Sequence, residues 1–314
     1  MRGSQARHHA NSDGWNFQTA VIAMSRWRSK VKNCAGRSGE GVANTKTGDE
    51  MGAVAIGAAH QPRLEEPAQN RSLERGIDIL RCFRPGTDLM GNGELAERTG
   101  LSKATVSRLT QTLVGSGMLE YDARERAYRL AAPVLSLAHA MRSGSPVLQV
   151  AAPLMRALAE KLRINVGLAV ADRDEMVYLE SVRYHRKVSL RNVTTGQRVP
   201  IELTSLGRAY LAALDEEKRD ALLGKMKARR GKEWPRLATE IAAAVKSVER
   251  HGFCAAAWQP EVVAVATPIA TPLHPIYVLN VSVSTTTPLD EVVPTLKGPL
   301  LQLAHELQAR ISSL

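Results

Sequence analysis

The segment from residue 92 to residue 115 constrains the fold of this 314-residue chain more than any other feature. Two helices that cross at a steep angle need a small residue at their contact, a flexible turn and apolar anchors on the second helix. Ala96 supplies the small residue, and Gly100 supplies a turn position where a positive φ angle costs little. Val106 and Leu109 supply the anchors. The spacing therefore predicts a helix-turn-helix.

The second helix of this pair is predicted to run from Lys103 to about Gly115, with Ser102 as its N-cap. If its apolar stripe points inward, the opposite face carries short polar, amide and cationic side chains. Side chains of these types reach base edges and phosphates in the major groove of DNA. The predicted DNA contacts on this helix are Ser102, Lys103, Ala104, Thr105, Ser107, Arg108, Gln111 and Thr112.

The flanking elements make this pattern more specific. A preceding helix carries Leu73, Ile77, Leu80 and Phe83 on one face. Residues 118–121 and 127–130 then predict a short β-hairpin, placed where a winged helix carries its wing. The hairpin loop contributes Arg124 and Arg126 as further predicted DNA contacts, with Arg129 on its second strand. These arginines can also be read as solvated surface offset by neighbouring carboxylates.

Composition narrows the class of protein without deciding its function. The net charge of +11 suits a polyanionic partner, but residues 71–143 hold 11 Lys and Arg against 8 Asp and Glu, so the excess is spread along the chain. Cys34, Cys82 and Cys254 are odd in number and lack zinc-site spacing, so no disulfide framework, metal or other cofactor is predicted. No stretch approaches the roughly 20 apolar residues that span a bilayer. We expect a cytoplasmic protein with no membrane partner.

Residues 1–70 differ from the rest of the chain. They are rich in small and polar residues without sustained periodicity, which predicts a disordered extension. Alternatively the reading frame is over-extended, with Met24 and Met51 as possible starts, or the segment is a basic DNA-binding arm. The arm would use Arg26, Arg28, Lys30 and Lys32. The predicted domains after it are a winged helix-turn-helix at 71–132, a linker helix at 133–146 and a second domain at 147–314.

The second domain reads as α+β. Its predicted strands cover residues 166–170, 176–182, 188–193, 253–257, 262–269 and 276–284. Its predicted helices cover residues 147–162, 206–214, 215–227, 235–250 and 289–311, and residues 195–200 are predicted to form a turn or loop.

Two groups of motifs together resemble the IclR family of bacterial transcriptional regulators. The first domain contains SLERGIDIL at 72–80 and ELAERTGLSKATVSRL at 94–109. The second contains GQRVPI at 196–201, SLGRAYLA at 205–212, VATPI at 265–269 and VSVS at 281–284. The resemblance implies a winged helix-turn-helix domain, a linker helix and a GAF-like effector-binding domain. It also implies dimers or tetramers that bind near-palindromic double-stranded DNA operators and respond to small, often acidic or aromatic, metabolites.

The candidate effector site combines a helix start with one strand face. Ser205, Leu206 and Gly207 open a predicted helix, whose backbone N–H groups can hold a small acid. Ser282 and Ser284 alternate with valines, so their hydroxyl groups share one strand face. That face is either the wall of a pocket or a solvent-facing strand edge.

The motifs around this site depart from the family pattern. The acidic residue that many relatives carry after the position of Gly252 and Phe253 has no clear equivalent, and Ala264 stands where some relatives carry a cysteine. Both changes make the implied pocket less polar. Cys254 and Trp258 are therefore candidate effector contacts that would line a cavity for an apolar or aromatic ligand. The alternative is that Trp258 is a core residue.

Other function classes find less support. His185, His251 and His274 are isolated, and no nucleophile elbow or phosphate-binding loop appears in its required context. The chain is therefore predicted not to be an enzyme and to have no catalytic residues. The alternatives are an enzyme or a purely oligomerising scaffold with an appended DNA-binding domain. The sequence predicts a DNA-binding regulator controlled by a small organic metabolite, without deciding between repression and activation.

Overall fold

The computed structural model describes residues 70–184 and 194–314. The interpretations of residues 1–69 and the predicted strand at 188–193 lie outside the described residues. Among the helices that are described, none combines the length and the apolar character needed to cross a membrane.

Three helices and a β-hairpin form the first domain. Its elements are α1 (Arg71–Cys82), α2 (Asn92–Thr99), α3 (Lys103–Gly115), β1 (Leu119–Asp122) and β2 (Ala127–Leu130). Met90 adds a backbone bridge to Tyr128, which ties the segment before α2 to the hairpin. A small core joins all three helices to the hairpin and contains Ile79, Phe83, Met90, Leu95, Val106, Leu109, Leu119 and Tyr128.

The apolar face predicted for α1 is only partly the face that packs. Leu73 and Ile77 remain exposed, whereas Gly76, Ile79 and Phe83 are buried. Both sets fit helical spacing, so periodicity alone cannot choose between them. The choice is made by contact with α2 and α3, which places Ile79 in the core.

Two consecutive helices lead into the second domain. Helix α4 (Ala132–Ser143) contains no buried residue, and Gly144 ends it. Helix α5 (Pro146–Leu162) begins at once, with the Ser145 side chain accepting a hydrogen bond from the Leu148 N–H at 3.3 Å. The predicted hinge at 143–146 is therefore a short break between two helices.

Within residues 146–184 and 194–314, an antiparallel sheet of six strands forms the centre of the second domain. Its strands are β3 (Asn165–Asp172), β4 (Glu175–Val182), β5 (Arg198–Pro200), β6 (Cys254–Gln259), β7 (Val262–Ile269) and β8 (Tyr277–Ser284). Their order across the sheet is β5-β4-β3-β8-β7-β6. The remaining helices are α6 (Ser205–Ala213), α7 (Glu216–Arg230), α8 (Trp234–His251) and α9 (Leu289–Ile311), with a 3-10 turn at Gly231–Glu233.

The two faces of this sheet belong to two different hydrophobic cores. One core packs α5 and α9 on the face that carries Leu279 and Val281. The other packs α6 and α8 on the face that carries Val278 and Cys254. Because side chains alternate along a strand, β8 contributes odd-numbered residues to the first core and even-numbered residues to the second.

Residues 198–200 form an edge strand, so the prediction of a turn or loop over the whole of 195–200 is wrong for its second half. Val199 lies opposite Met176 on β4 and is almost fully buried. Three residues are too few to show a strand period, and only pairing with β4 reveals the strand.

Candidate nucleic-acid interface and ligand site

The junction between α2 and α3 has the geometry of a helix-turn-helix. Gly100 ends α2 with a φ angle of +70°, and its N–H donates to the Ala96 carbonyl at 2.9 Å. Ser102 then caps α3, because its Oγ accepts a hydrogen bond from the Thr105 N–H at 3.3 Å. The turn residue and the cap therefore fix where α3 begins.

Helix α3 buries one side and exposes the other. Val106, Leu109 and Thr110 are buried, and the Thr110 hydroxyl donates to the Val106 carbonyl at 3.0 Å and to Asn92 Oδ1 at 3.3 Å. Sequence reasoning missed Thr110, whose only sequence signal is its position beside Leu109. All eight residues predicted as DNA contacts on this helix are exposed or half-exposed: Ser102, Lys103, Ala104, Thr105, Ser107, Arg108, Gln111 and Thr112.

The exposed face of α3 carries two uncommitted cations. Within the described residues, neither Lys103 nor Arg108 forms an ion pair or a side-chain hydrogen bond. Elsewhere in the same domain, Arg98 is held by Glu94 at 2.7 Å. The cations on α3 are thus available to an anionic partner.

The hairpin loop presents Arg124 and Arg126 to solvent. Asp122 organises the loop by accepting hydrogen bonds from the N–H groups of Arg124 and Glu125 at 2.9 and 3.1 Å. Those backbone hydrogen bonds lower the pKa of Asp122, and its carboxylate also pairs with Arg129. Arg129 is therefore committed within the wing, whereas Arg124 and Arg126 point their charge outward without a described ion pair.

In the second domain, a tight contact fixes the start of α6. Thr204 caps the helix by accepting the Gly207 N–H at 3.1 Å, and its own hydroxyl donates to the Pro200 carbonyl at 2.9 Å. A Cβ atom on Gly207 would lie 2.1 Å from the Ile201 carbonyl oxygen and 2.2 Å from the Ile201 Cα. Only glycine allows this approach of two backbone segments. We call residues 201–207 the α6 entry.

Three predicted effector contacts meet at the α6 entry. Ser205, Leu206 and Cys254 are all almost fully buried, and the Cys254 thiol donates to the Ser205 carbonyl at 3.4 Å. Burial raises the pKa of the Cys254 thiol to about 12, so the group stays neutral. Trp258, on the same strand as Cys254, is half-buried and packs against the core beneath α6. Trp258 therefore sits at the edge of this core.

The two predicted serines on β8 lie on the sheet face that α6 covers. Ser282 is half-buried and lies opposite Asn165 on β3 and Ala264 on β7. Ser284 is exposed at the end of the strand. The structure thus places Ser282 on the same face as Cys254, and it leaves Ser284 at the solvent-facing margin of that face.

Sequence reasoning missed a buried polar pair on this face. The Asn280 side chain donates to the Tyr178 hydroxyl oxygen at 3.4 Å, and both residues are less than a tenth exposed. The Asn280 Oδ1 atom has no partner among the described residues, and it packs over Gly167. Burial raises the pKa of Tyr178 far above its ordinary value. The available signal was the even-numbered series of β8, in which Asn280 precedes Ser282 and Ser284.

The arginine that directly follows the α6 entry is already held by other groups of the protein. Arg208 is mostly buried, and its guanidinium donates to the Glu202 carbonyl at 3.1 Å and to the Glu240 carboxylate at 2.5 Å. The polar groups identified above on the sheet face are neutral: a thiol, hydroxyls, an amide and an indole. Among the described residues, no cluster of three or more His, Cys, Asp or Glu side chains is arranged to hold a metal ion.

Comparisons with known proteins match both domains to one family. The family model for the IclR helix-turn-helix domain matches residues 72–123, and the model for the bacterial transcriptional regulator IclR C-terminal domain matches residues 139–309. The HTH-type transcriptional regulator TsaQ1/TsaQ2 of Comamonas testosteroni is 33% identical over 211 residues, covering 67% of this chain and 72% of that protein.

Solved structures agree with the described architecture. An IclR family transcriptional regulator from Brucella abortus shares 33% identity and a TM-score of 0.72, covering 80% of this chain and 95% of that one. An IclR homolog from Microbacterium hydrocarbonoxydans, solved in complex with 4-hydroxybenzoate, shares 24% identity and a TM-score of 0.56, covering 76% of this chain and 99% of that one. The predicted two-domain fold is confirmed.

The close approach at the α6 entry gives a testable prediction about stability. Gly207→Ala should destabilise the protein by about 1–3 kcal/mol, because the added methyl group meets the Ile201 backbone rather than a flexible side chain. The matched control is Gly224→Ala in the interior of α7, where an added Cβ meets nothing within 4 Å. That control should stabilise the protein by roughly 0.5–1 kcal/mol, since alanine is the better helix former. Chemical denaturation measures both, and a neutral Gly207→Ala would contradict the described contact.

Proposed function

Since the chain belongs to the IclR family of bacterial transcriptional regulators, we propose that it binds a specific operator through α3. Proteins of this family are DNA-binding regulators and not enzymes. A small organic ligand in the second domain would weaken or strengthen the binding of the protein to its operator. The observation that carries the DNA-binding half is the exposed polar face of α3. That face combines two unpaired cations with hydroxyl and amide side chains, and the buried side of the helix fixes its orientation.

We assign the predicted contacts on α3 to the major groove and those in the hairpin loop to the adjacent backbone. Arg108 lies near the middle of the exposed face and is the candidate for direct base readout, since arginine forms two hydrogen bonds with guanine. Lys103, at the start of the helix, is a candidate for phosphate contact. Arg124 and Arg126 would reach the phosphates beside the groove.

The operator assignment is tested with DNA from immediately upstream of the coding region and a scrambled duplex, over a salt series. Arg108→Ala should weaken binding to the upstream DNA by roughly 5- to 150-fold, the loss expected for a bidentate base contact. Arg310→Ala, an equal charge change on α9 where Arg310 pairs with Glu306, should leave both affinities unchanged. If Arg108 contacts only phosphate, binding to both duplexes weakens alike and the salt slope falls by about one. Unchanged binding would exclude α3 as the recognition helix.

We propose that the ligand binds on the sheet face below α6, among Ser205, Leu206, Gly207, Cys254, Trp258 and Ser282, with Ser284 at its rim. The polar side chains among these residues are neutral, and Trp258 adds an indole. Arg208 already donates hydrogen bonds to the Glu202 carbonyl and the Glu240 carboxylate. Such a lining suits an aromatic ring with one or two polar substituents better than a small polyanion. The 4-hydroxybenzoate in the Microbacterium hydrocarbonoxydans relative supports this class of ligand.

Thermal shift and calorimetry with 4-hydroxybenzoate, benzoate and pyruvate test the ligand class. An aromatic acid should bind and raise the unfolding temperature, because a ligand that binds only the folded state stabilises it. Ser282→Ala should weaken that binding by roughly 2- to 10-fold through loss of one hydrogen bond, and Ser313→Ala, at the C-terminal end, should not. Binding of pyruvate alone would contradict the aromatic class, and a ligand insensitive to Ser282→Ala would bind elsewhere.

We further propose that the protein is a homodimer that pairs through α4. In the part of the chain that the structure describes, no residue of this helix is buried, and Leu135, Leu137 and Met141 are 75%, 59% and 53% exposed. Exposed apolar side chains concentrated on one helix indicate a protein interface. The exposed Leu73 on α1 adds to the apolar surface that the first domain leaves uncovered. A dimer would present two copies of α3 to a near-palindromic operator.

Sedimentation velocity tests the dimer. Leu137→Glu should shift the protein toward monomer, since it places a charge within the proposed apolar interface. The matched control is Leu273→Glu, because Leu273 is 92% exposed in the loop between β7 and β8 and lies outside α4. Equal behaviour of the two variants would exclude α4 as the interface.

A further inference from the structure

The tip of the β3–β4 hairpin consists of four charged residues in a row, Asp172, Arg173, Asp174 and Glu175, which we call the charged tip. Arg173 adopts a positive φ angle of 59°, which turns the chain at this point. Each of the four side chains forms an ion pair with an element other than the hairpin itself. The charged tip therefore connects several parts of the molecule.

Three of these ion pairs join the charged tip to the DNA-binding domain. Arg173 pairs with Asp78 on α1 at 2.7 Å, and Asp172 pairs with Arg81, also on α1. Glu175 accepts a hydrogen bond from Arg84, just beyond the end of α1, at 2.7 Å. Positions 78 and 81 are three apart and so lie on the same side of the helix. The signs of the charges are complementary at all three contacts.

Two further arginines join the charged tip to the ligand domain's α6 entry. Arg198 on β5, which leads directly into residues 201–207, contacts Asp172 at 2.5 Å and Glu175 at 2.8 Å. Arg229 near the end of α7 pairs with Asp174 and also contacts the Glu202 carboxylate, in the α6 entry itself, at 2.9 Å. Glu202 is fully buried. Asp172 and Glu175 thus contact arginines of the DNA-binding domain on one side and Arg198, three residues before the α6 entry, on the other. Asp174 is connected to the α6 entry through Arg229.

We propose that the charged tip is the surface on which the ligand-binding domain docks the DNA-binding domain, and that Arg198 and Arg229 couple this docking to the conformation of the α6 entry. The docking follows from the ion pairs alone. The coupling rests on the proposed function, because it treats residues 201–207 as part of the ligand site.

The energetics suit a contact that must form and release. These side chains are partly exposed, and one such ion pair changes a docking equilibrium by up to about fivefold. Several pairs together favour one arrangement of the two domains but still allow the domains to separate. Partial burial raises the pKa of Asp172 and of Glu175, but hydrogen bonds from arginines outweigh this effect and hold both pKa values below their usual range. The donors are Arg81 and Arg198 for Asp172, and Arg84 and Arg198 for Glu175. Both carboxylates therefore remain ionised at neutral pH.

Docking should protect the DNA-binding domain from unfolding, which gives a test without DNA or ligand. Hydrogen exchange of the slowest amides in α1 and α3 is measured in the full chain. Arg173→Asp, a substitution in the other domain, should accelerate their exchange by roughly three- to tenfold, because it replaces an attraction to Asp78 by a repulsion. Aspartate adopts the left-handed backbone region more readily than most residues, so the turn itself is retained.

Two further variants complete the experiment. The charge-swapped pair Asp78→Arg with Arg173→Asp should restore slow exchange, and Arg310→Asp on α9 should leave the DNA-binding domain unaffected. Unchanged exchange in Arg173→Asp, or no rescue in the swapped pair, would overturn the docking. Neither result depends on operator or ligand binding, so failure here is distinct from failure of the proposed function.

The coupling is tested in the opposite direction. Asp78→Arg lies in the DNA-binding domain, and it should accelerate exchange of the amides at 201–207 by roughly twofold or more, because coupling between two sites is reciprocal. The charge-swapped pair should reverse this acceleration. Faster exchange confined to the DNA-binding domain would overturn the coupling.

Discussion

Strand β8 is the element on which the second domain depends, because its two rows of side chains belong to two hydrophobic cores. Leu279 and Val281 face the core beneath α5 and α9, whereas Val278 faces the core beneath α6 and α8. Strand alternation imposes this division, and a shift of one residue in pairing would exchange the two rows. The same alternation puts Asn280 and Ser282 on the α6 side. The candidate ligand contacts therefore follow from the register that forms the cores.

The first domain has a different organisation, with a core built from short-range contacts. Its helices and hairpin meet around Ile79, Leu95 and Val106, and Gly100 and Ser102 fix the angle at which α3 leaves α2. A core of this kind orients α3 without help from the second domain. The second domain contacts the first domain through ion pairs near the C-terminal end of α1. Apolar packing thus orients the exposed face of α3, and ion pairs connect the first domain to the second.

Much of the candidate DNA interface could be predicted from the sequence because its determinants are local. A cap, a glycine and an apolar stripe lie within about four turns of helix, so spacing alone places α3 from Lys103 to Gly115. The buried face of α1 could not be predicted in the same way. Ile77 and Ile79 each belong to a series of residues at helical spacing, and only the contacts with α2 and α3 decide which series is buried. Strand β5 was missed because a three-residue strand is defined by its neighbour. Tyr178 and Asn280 were missed because they lie 102 residues apart in the chain.

By itself the sequence determined the order of the described helices and strands except β5, the two-domain family fold and the residues available on α3. Each of these depends on short-range patterns of apolar, capping and turn residues. Only the tertiary structure decided which of those residues meet. It brought Cys254 to Ser205, left Ser284 at the margin and joined Asp172 and Arg173 to α1. Long-range pairing is set by packing the whole chain at once, and a charged residue such as Arg173 carries no local mark of the partner it will find.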